Sequence, residues 1–253
     1  MNIVPIYLIN LDRSVDRLRF VTRRMDTLGL DHTRIAAVEG ARLSGGERAA
    51  FVAARPRDGK RGWRDGQIGC FLSHLDAWRR IAAGPDAYGL VLEDDIHLSD
   101  ATPAALADTA WIPPDADIVR LESTGQWLAL GPPVSQAAGR PVRRIRSAAW
   151  GAGAYLLSRQ AAARLAASDP LLQTPADDFL FNLAGSAIAR SLTTYQVVPA
   201  LAVQDKFNAE DHAIEGFGSD IETDTVNQRL RGLSALRRRI TSALRGKTAV
   251  EFA

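Results

Sequence analysis

Three carboxylates stand side by side at Glu93, Asp94 and Asp95, directly after the apolar run Tyr88-Gly89-Leu90-Val91-Leu92. A buried strand that ends in acids sets them at the carboxyl edge of an α/β sheet, where such folds gather ligands. Adjacent carboxylates repel one another, so the triplet calls for a cation or a basic partner. Hard oxygen donors suit Mg²⁺ or Mn²⁺, and either ion would in turn hold a diphosphate, such as that of a nucleotide sugar. A charged turn at a strand end is the plainer account of an acidic triplet seen alone.

Other residues supply matching chemistry. The first strand-to-helix turn offers Asn10, Asp12, Arg13 and Arg17. Asn10 or Asp12 could hydrogen-bond a base or ribose, and Arg13 or Arg17 could pair with phosphate; alternatively the arginines only cover a helix surface. No GxGxxG is present, which disfavours a dinucleotide cofactor. Ser73 and His74 sit within an otherwise apolar helix, where a lone histidine is more often hydrogen-bonded core than catalyst. No Gly-x-Ser-x-Gly elbow accompanies them. Asp177 and Asp178 open a helical run; there they either satisfy first-turn amides or take a proton from an attacking hydroxyl. The polar run Gln204–His212 could close over a ligand, with His212 as a further metal ligand, or serve as a solvated connector.

These residues need elements to position them. Asn2–Asn10 is predicted as a buried strand. A helix capped by Ser14 follows, with Val15, Leu18, Val21, Met25 and Leu28 at helical spacing and Gly29 as its stop. Arg34–Val38 reads as a second strand, and this opening favours parallel strands in an α/β fold. Arg55–Asp65, rich in Arg, Gly and Pro, reads as a mobile loop. A helix over Gly66–Ala83, with Ile68, Leu72, Leu75 and Trp78 on its apolar face, leads to the Tyr88–Glu93 strand. Asp100–Pro114 gives a short helix and a turn, and Asp117–Glu122 another strand. Gly125–Pro141 carries weak signals; Arg143–Trp150 and Gly153–Leu157 read as strands. Ser158 caps a helix over Arg159–Ala167, Phe179–Ala184 is helical, and Thr193–Val198 is a late strand closed by Pro199.

The chain has 253 residues, 46% of them hydrophobic, which is enough for one large domain with a substantial core. One cysteine, Cys70, excludes an internal disulfide and a Cys-based zinc site. No apolar run is long enough to span a bilayer, and no signal-peptide pattern opens the chain. From Arg229 onward lie seven of the 31 basic residues and one of the 29 acids, so the body is mildly acidic and the end strongly basic. We divide the chain at residues 1–224 and 225–253. In the second part Leu230, Leu233, Leu236 or Arg237, Ile240 and Leu244 trace an amphipathic helix with arginines on the other faces, suited either to an anionic membrane surface or to docking on the domain. The arginines gather in this one terminal segment with no aromatic stacking platform among them, so nucleic acid is a weak candidate partner.

Taken in order, several blocks resemble glycosyltransferase family 25. They are Ile6–Arg13 with Asp16-Arg17, Ala37-Val38-Glu39-Gly40, Gly66–His74 followed by Trp78, and Leu92–Asp95. Ile118–Glu122, Trp150-Gly151 through Tyr155, Pro175-Ala176-Asp177 and Pro199-Ala200-Leu201 with Gln204 continue the likeness. The family includes bacterial lipooligosaccharide galactosyltransferases and is related to collagen galactosyltransferases. Gln67 departs from it, since members often carry Glu there.

The resemblance implies a GT-A-like fold with a mostly parallel central sheet. It also implies an inverting transferase using a UDP-sugar, most often UDP-galactose, with Mn²⁺ or Mg²⁺. By that likeness Asp95 is a direct metal ligand with Glu93 or Asp94 beside it, Ser73 and His74 join the donor side, and Asp177 rather than Asp178 is the base. The implied acceptor is a lipid-linked saccharide at the cytoplasmic face of the membrane. Two rivals use the same residues: a metal-dependent sugar-phosphate phosphohydrolase, and a catalytically silent saccharide- or nucleotide-binding protein.

Overall fold

The computed structural model describes residues 4–54, 64–168, 175–208 and 246–253. Most of the loop predicted at Arg55–Asp65, the Ala209–His212 part of the polar run, and the helix predicted from Leu230 to Leu244 lie outside them. His212 as a metal ligand therefore also falls outside.

Strand β1 (Ile6–Asn10) leads through helix α1 (Val15–Thr27) to β2 (Thr33–Ala36). A short 3₁₀ turn at Gly40–Arg42 precedes α2 (Gly45–Ala54), and α3 (Asp65–Ala83) leads to β3 (Tyr88–Glu93). Next come β4 (Ile96–Leu98), α4 (Thr102–Leu106), β5 (Ile118–Arg120) and β6 (Glu122–Ser123). They are followed by β7 (Trp127–Leu128), β8 (Leu130–Ala137) and β9 (Arg140–Ile145). The rest comprises β10 (Ala154–Ser158), α5 (Arg159–Ala166), α6 (Ala176–Phe181), α7 (Ala187–Ser191), β11 (Thr194–Val197), β12 (Ala202–Gln204) and β13 (Thr248–Ala249).

The main sheet has eight strands in the order β2-β1-β3-β10-β5-β11-β9-β8. Six point the same way; β10 and β9 run against their neighbours. This is the α/β, GT-A-like architecture expected from the sequence. Leu90 and Leu92 of β3 pack on one face with α1 and α4, while Val91 packs on the other with α3, α5 and α6. Burial on both faces explains why β3 is an unbroken apolar run.

Three strands continue past the main sheet into a small one of order β4-β12-β6. The chain passes from β3 to β4, from β5 to β6 and from β11 to β12, so the strand predicted over Asp117–Glu122 is divided between two sheets. The acids lie at the first of these crossings. Farther along, β13 pairs with β7, the Ser123 hydroxyl donates to the Val250 carbonyl at 2.6 Å, and Val250 is buried. The last residues of the predicted basic part thus pack on the body.

Some local expectations need correction. Ser14 occupies the N-cap of α1, but its side chain makes no capping bond; the Asn10 amide donates to its carbonyl instead, at 3.1 Å. The C-terminal end of α1 is as expected. Gly29 N–H reaches Asp26 O and Leu30 N–H reaches Met25 O, the pairing of a Schellman motif. The weak stretch Gly125–Pro141 contains β7 and β8. As an edge strand with register shifts around Pro133, β8 tolerates Pro132 and Pro133 without losing an inner ladder. The strand predicted at Arg143–Trp150 begins earlier, at Arg140, and ends at Ile145.

Two of the family-like blocks meet in a tight joint. A Cβ on Gly40 would lie 1.8 Å from the Asp65 carbonyl oxygen, and one on Gly69 would lie 2.3 Å from Val38 O. Ser73 fastens the joint, accepting from Val38 N–H at 2.8 Å and donating to Gly69 O at 2.7 Å. Because the obstruction is backbone, Gly40→Ala should destabilise the fold by about 3 kcal/mol. Gly46→Ala, in α2 with nothing within 4 Å, should be neutral or stabilise by about 0.5–1 kcal/mol. Urea denaturation of both variants checks the contrast.

Candidate functional site

At the corner between β3 and β4 the three carboxylates meet three different environments. Asp94 is buried, accepting from Asn10 Nδ2 at 2.7 Å and Arg17 at 3.2 Å. Burial raises its pKa, although both partners oppose the shift. Asn10 also donates to Ser14 O and accepts from Arg34 Nε at 2.9 Å. Its amide holds Asp94 while the residue lines the cleft. Arg17 faces Asp94, and Arg13 pairs with Glu39 at 2.9 Å. Both expected phosphate partners thus already have a carboxylate. Asp12 bonds Arg34 at 2.6 Å and is largely exposed.

Glu93 is set by a hydrogen-bonded relay. Trp78 Nε1–H can only donate, and it does so to the Tyr155 hydroxyl at 2.7 Å. Burial keeps that phenol protonated, so it donates to His74 Nδ1 at 2.9 Å. His74 Nε2–H is left to donate to Glu93 Oε1 at 3.0 Å. With a hydrogen on Nε2 of the imidazole, every bond of this chain has a donor and an acceptor. Burial works against the charge on Glu93. The hydrogen bond from His74, the Lys206 ammonium and Gln204 outweigh it and hold its pKa low. His74 is fully buried and positions the carboxylate.

Asp95 has the least support. Its backbone carbonyl accepts from Asp205 N–H at 2.8 Å. Gln204 Nε2 donates to Glu93 Oε2 at 2.9 Å but reaches Asp95 Oδ1 only at 3.5 Å. Burial, and then the charge of Glu93, push Asp95 up to about 7. Gln204 ends the last family-like block and Lys206 lies in the run expected to close over a ligand, but the sequence assigns neither a role beside the acids.

A cleft of about 280 Å³ opens on this corner. Its lining includes Asn10, Arg13, Arg17, Ser73, His74, Glu93, Asp94, Asp95 and Lys206, with Ile9, Leu11, Ala37 and Val38 as an apolar wall. Of the expected site residues, Asp12 and Asp177 lie outside it. Asp177 sits nearby at the start of α6, its Oδ2 accepting from Gly151 N–H at 3.3 Å and its Oδ1 from Asp178 N–H at 2.9 Å. Asp178 instead accepts from Asn182 one helical turn on, at 3.2 Å. Of the two acids, Asp177 therefore borders the corner.

Ligand atoms of Cys70, His74 and Glu93 also lie within 4.8 Å of one another. Both His74 nitrogens are engaged, and burial followed by the Glu93 charge raises the Cys70 thiol well above its usual value. This trio is a hydrogen-bonded cluster. Behind the corner, Glu122 is fully buried, accepting from Arg120 at 3.0 Å and from Gly153 N–H at 3.1 Å. Burial raises it to about 7 against the pull of Arg120. Gln67 accepts from Arg64 N–H at 3.1 Å and so closes the start of α3. Glu would accept equally well there, so the departure leaves the site intact.

Residues 3–180 match the profile of glycosyltransferase family 25 (LPS biosynthesis protein), and the chain belongs to this family. It is 31% identical over 174 residues to the lacto-N-neotetraose biosynthesis glycosyltransferase LgtB of Neisseria meningitidis serogroup B, covering 63% of this chain and 62% of that one. A glycosyltransferase 25 family member of Aedes aegypti is 28% identical over 261 residues, 92% of this chain and 41% of its own length. Procollagen galactosyltransferase 1-A of Xenopus laevis is 25% identical over 245 residues, 89% and 39% respectively. The chain thus spans less than two thirds of each of these relatives. Among the described residues no helix is long and apolar enough to cross a membrane.

The weak support of Asp95 has a measurable consequence. Its pKa is about 7 in the fold and about 4 in an unfolded chain, so between those values the folded protein binds more protons. The contribution of Asp95 to stability therefore falls as pH rises from about 4 to about 7. In EDTA, Asp95→Asn should exceed the wild type in stability by on the order of a few kcal/mol at pH 8. The difference should vanish near pH 4, as read by denaturant melts across that range.

Proposed function

We propose that this protein transfers a sugar from a nucleoside diphosphate donor to a hydroxyl of a saccharide acceptor, with inversion at the anomeric carbon. The observation that carries the reading is the acidic corner Glu93-Asp94-Asp95, set at the carboxyl edge of the sheet and facing the cleft in a chain of this family. The family resemblance weights the donor towards UDP-galactose, and the name of the Xenopus relative supports it. The name of LgtB supports an oligosaccharide acceptor, and the family's description as LPS biosynthesis proteins supports one belonging to lipooligosaccharide or lipopolysaccharide. A lipid-linked acceptor would give the basic stretch Arg229–Lys247 a partner in an anionic membrane surface on the cytoplasmic side.

Mn²⁺ or Mg²⁺ suits this corner by the chemistry of its donors. Asp95 makes one long side-chain hydrogen bond and bears an uncompensated burial cost, which a cation held by Glu93 and Asp95 would relieve. Such an ion, when bound, offsets the charge of a departing diphosphate. The chain's own residues prepare the rest. Asn10 and Arg17 fix Asp94 in the cleft wall, and Gln204 fixes Glu93 beside Asp95. Lys206 and Arg13 bring positive charge to a pocket that must receive an anion. Asp177 accepts the proton of the acceptor hydroxyl as that oxygen bonds to the anomeric carbon, and the bond to the diphosphate oxygen breaks on the opposite face. Two backbone N–H groups hold the Asp177 carboxylate for this task.

A thermal-shift panel of nucleotide sugars with and without Mn²⁺ tests the donor. UDP-sugars, UDP-galactose foremost, should stabilise the protein only when metal is present. Asp95→Ala should stay folded and lose transfer; undiminished turnover by that variant would sink the metal assignment. Asp177→Asn should lower kcat about 100-fold or more while keeping donor binding. Free phosphate released without an acceptor would point to a phosphohydrolase instead.

A further inference from the structure

Trp150 is 60% exposed, more than the other exposed large hydrophobic side chains among the described residues. A single exposed aromatic is unremarkable on a mobile surface loop. Here the main chain that carries the side chain is tied at Trp150 and at both neighbours. Trp150 N–H donates to Gln126 Oε1 at 2.8 Å, and Trp150 O accepts from Arg120 at 2.6 Å. The residue before it ties to α6 through Ala149 N–H and Phe181 O at 3.2 Å. The residue after it ties to the same helix through Gly151 N–H and Asp177 Oδ2. Gly151 has φ +85°, and a Cβ there would lie 2.9 Å from the Glu122 carboxylate. Only glycine fits, and the turn it makes is fixed against a buried ion pair.

The place of this residue is as informative as its rigidity. Since β10 is antiparallel to β3, the segment before Ala154 lies at the sheet edge that carries the acids. Gly153 O accepts from Glu93 N–H at 2.8 Å, three residues from Trp150. The main chain of Trp150 thus lies three residues from the one bonded to Glu93 and one residue from the one bonded to Asp177, and its exposed side chain does not line the donor cleft. Beside it, the Gln126 carboxamide uses its oxygen on Trp150 N–H, and its NH₂ engages none of the described residues.

We infer that Trp150 is a stacking platform for a pyranose ring of the acceptor, with Gln126 donating to a ring hydroxyl; the inference rests on the transferase reading above. The C–H face of a pyranose is apolar and faintly positive, and it complements the negative face of an indole. Its hydroxyls lie around the rim, where one can face Asp177. A ring stacked here approaches the reaction from the side of the base, separate from the donor.

Indole N–H NMR spectra of the full chain test this, the Trp150 signal being assigned by its loss in Trp150→Phe. The probes are methyl β-D-glucopyranoside, methyl β-D-galactopyranoside, methyl 2-acetamido-2-deoxy-β-D-glucopyranoside and lactose, with glycerol as a polyol lacking a pyranose face. At least one saccharide should shift the Trp150 signal saturably while glycerol does not. Trp150→Ala should weaken that saccharide at least tenfold, and Trp150→Phe less than about threefold. Melting temperature and UDP-galactose stabilisation with Mn²⁺ should be unchanged in both variants. The platform is overturned if no saccharide moves the signal, or if Trp150→Ala binds as tightly as the wild type. Saccharide shifts at Trp150 in a protein indifferent to every UDP-sugar would uphold the platform and remove the transferase reading.

Discussion

Burying three like charges at the end of one strand is the constraint around which this molecule is arranged. Each carboxylate is accommodated by different elements. Glu93 is reached from α3 and β10 through His74 and Tyr155, and Asp94 from β1 and α1 through Asn10 and Arg17. Asp95 relies on the end of β12. Five elements converge on one turn because an unsupported buried carboxylate costs several kcal/mol. All three line the cleft, but their support is unequal, and Asp95 has the least.

A second buried charge pair stiffens the floor of the site. Arg120 and Glu122 are both essentially inaccessible. Arg120 also bonds Gln196 and the Trp150 carbonyl, and its guanidinium lies 4.9 Å from the centre of the Phe181 ring. A buried pair of this kind adds little net stability compared with apolar packing. Its evident effect is geometric, because it fixes the turn that carries Gly151 and Gly153 against the acids.

Much of this arrangement could be read from the chain. The run into Glu93 announces a strand buried on both faces, and the spacing of Ile68, Leu72, Leu75 and Trp78 announces α3 over nearly its true length. The acidic corner follows directly from those two elements. What could not be read depends on partners far apart in the chain. Asn10 reads as a loop residue facing a ligand, but nothing near it in the chain shows that its amide also holds Asp94, 84 residues on. Gln204 and Lys206 look like part of a polar connector until β12 pairs with β4 and brings them beside Asp95. The edge strand β8 is hidden by its prolines, since propensity describes an inner strand better than an edge. Ser14 has the right residue type for a cap and occupies the cap position, yet its side chain accepts no bond there.

The relay behind Glu93 has a consequence for how such a sequence can vary. Indole nitrogen donates only, which gives the chain Trp78–Tyr155–His74–Glu93 a single direction. Removing any middle member leaves a donor without an acceptor on one side and an acceptor without a donor on the other. Changes at these positions must therefore be strongly non-additive. A substitution tolerated at Tyr155 depends on what stands at Trp78 and His74. Across related chains, the three positions should covary as one unit, and single changes there should be rarer than joint ones.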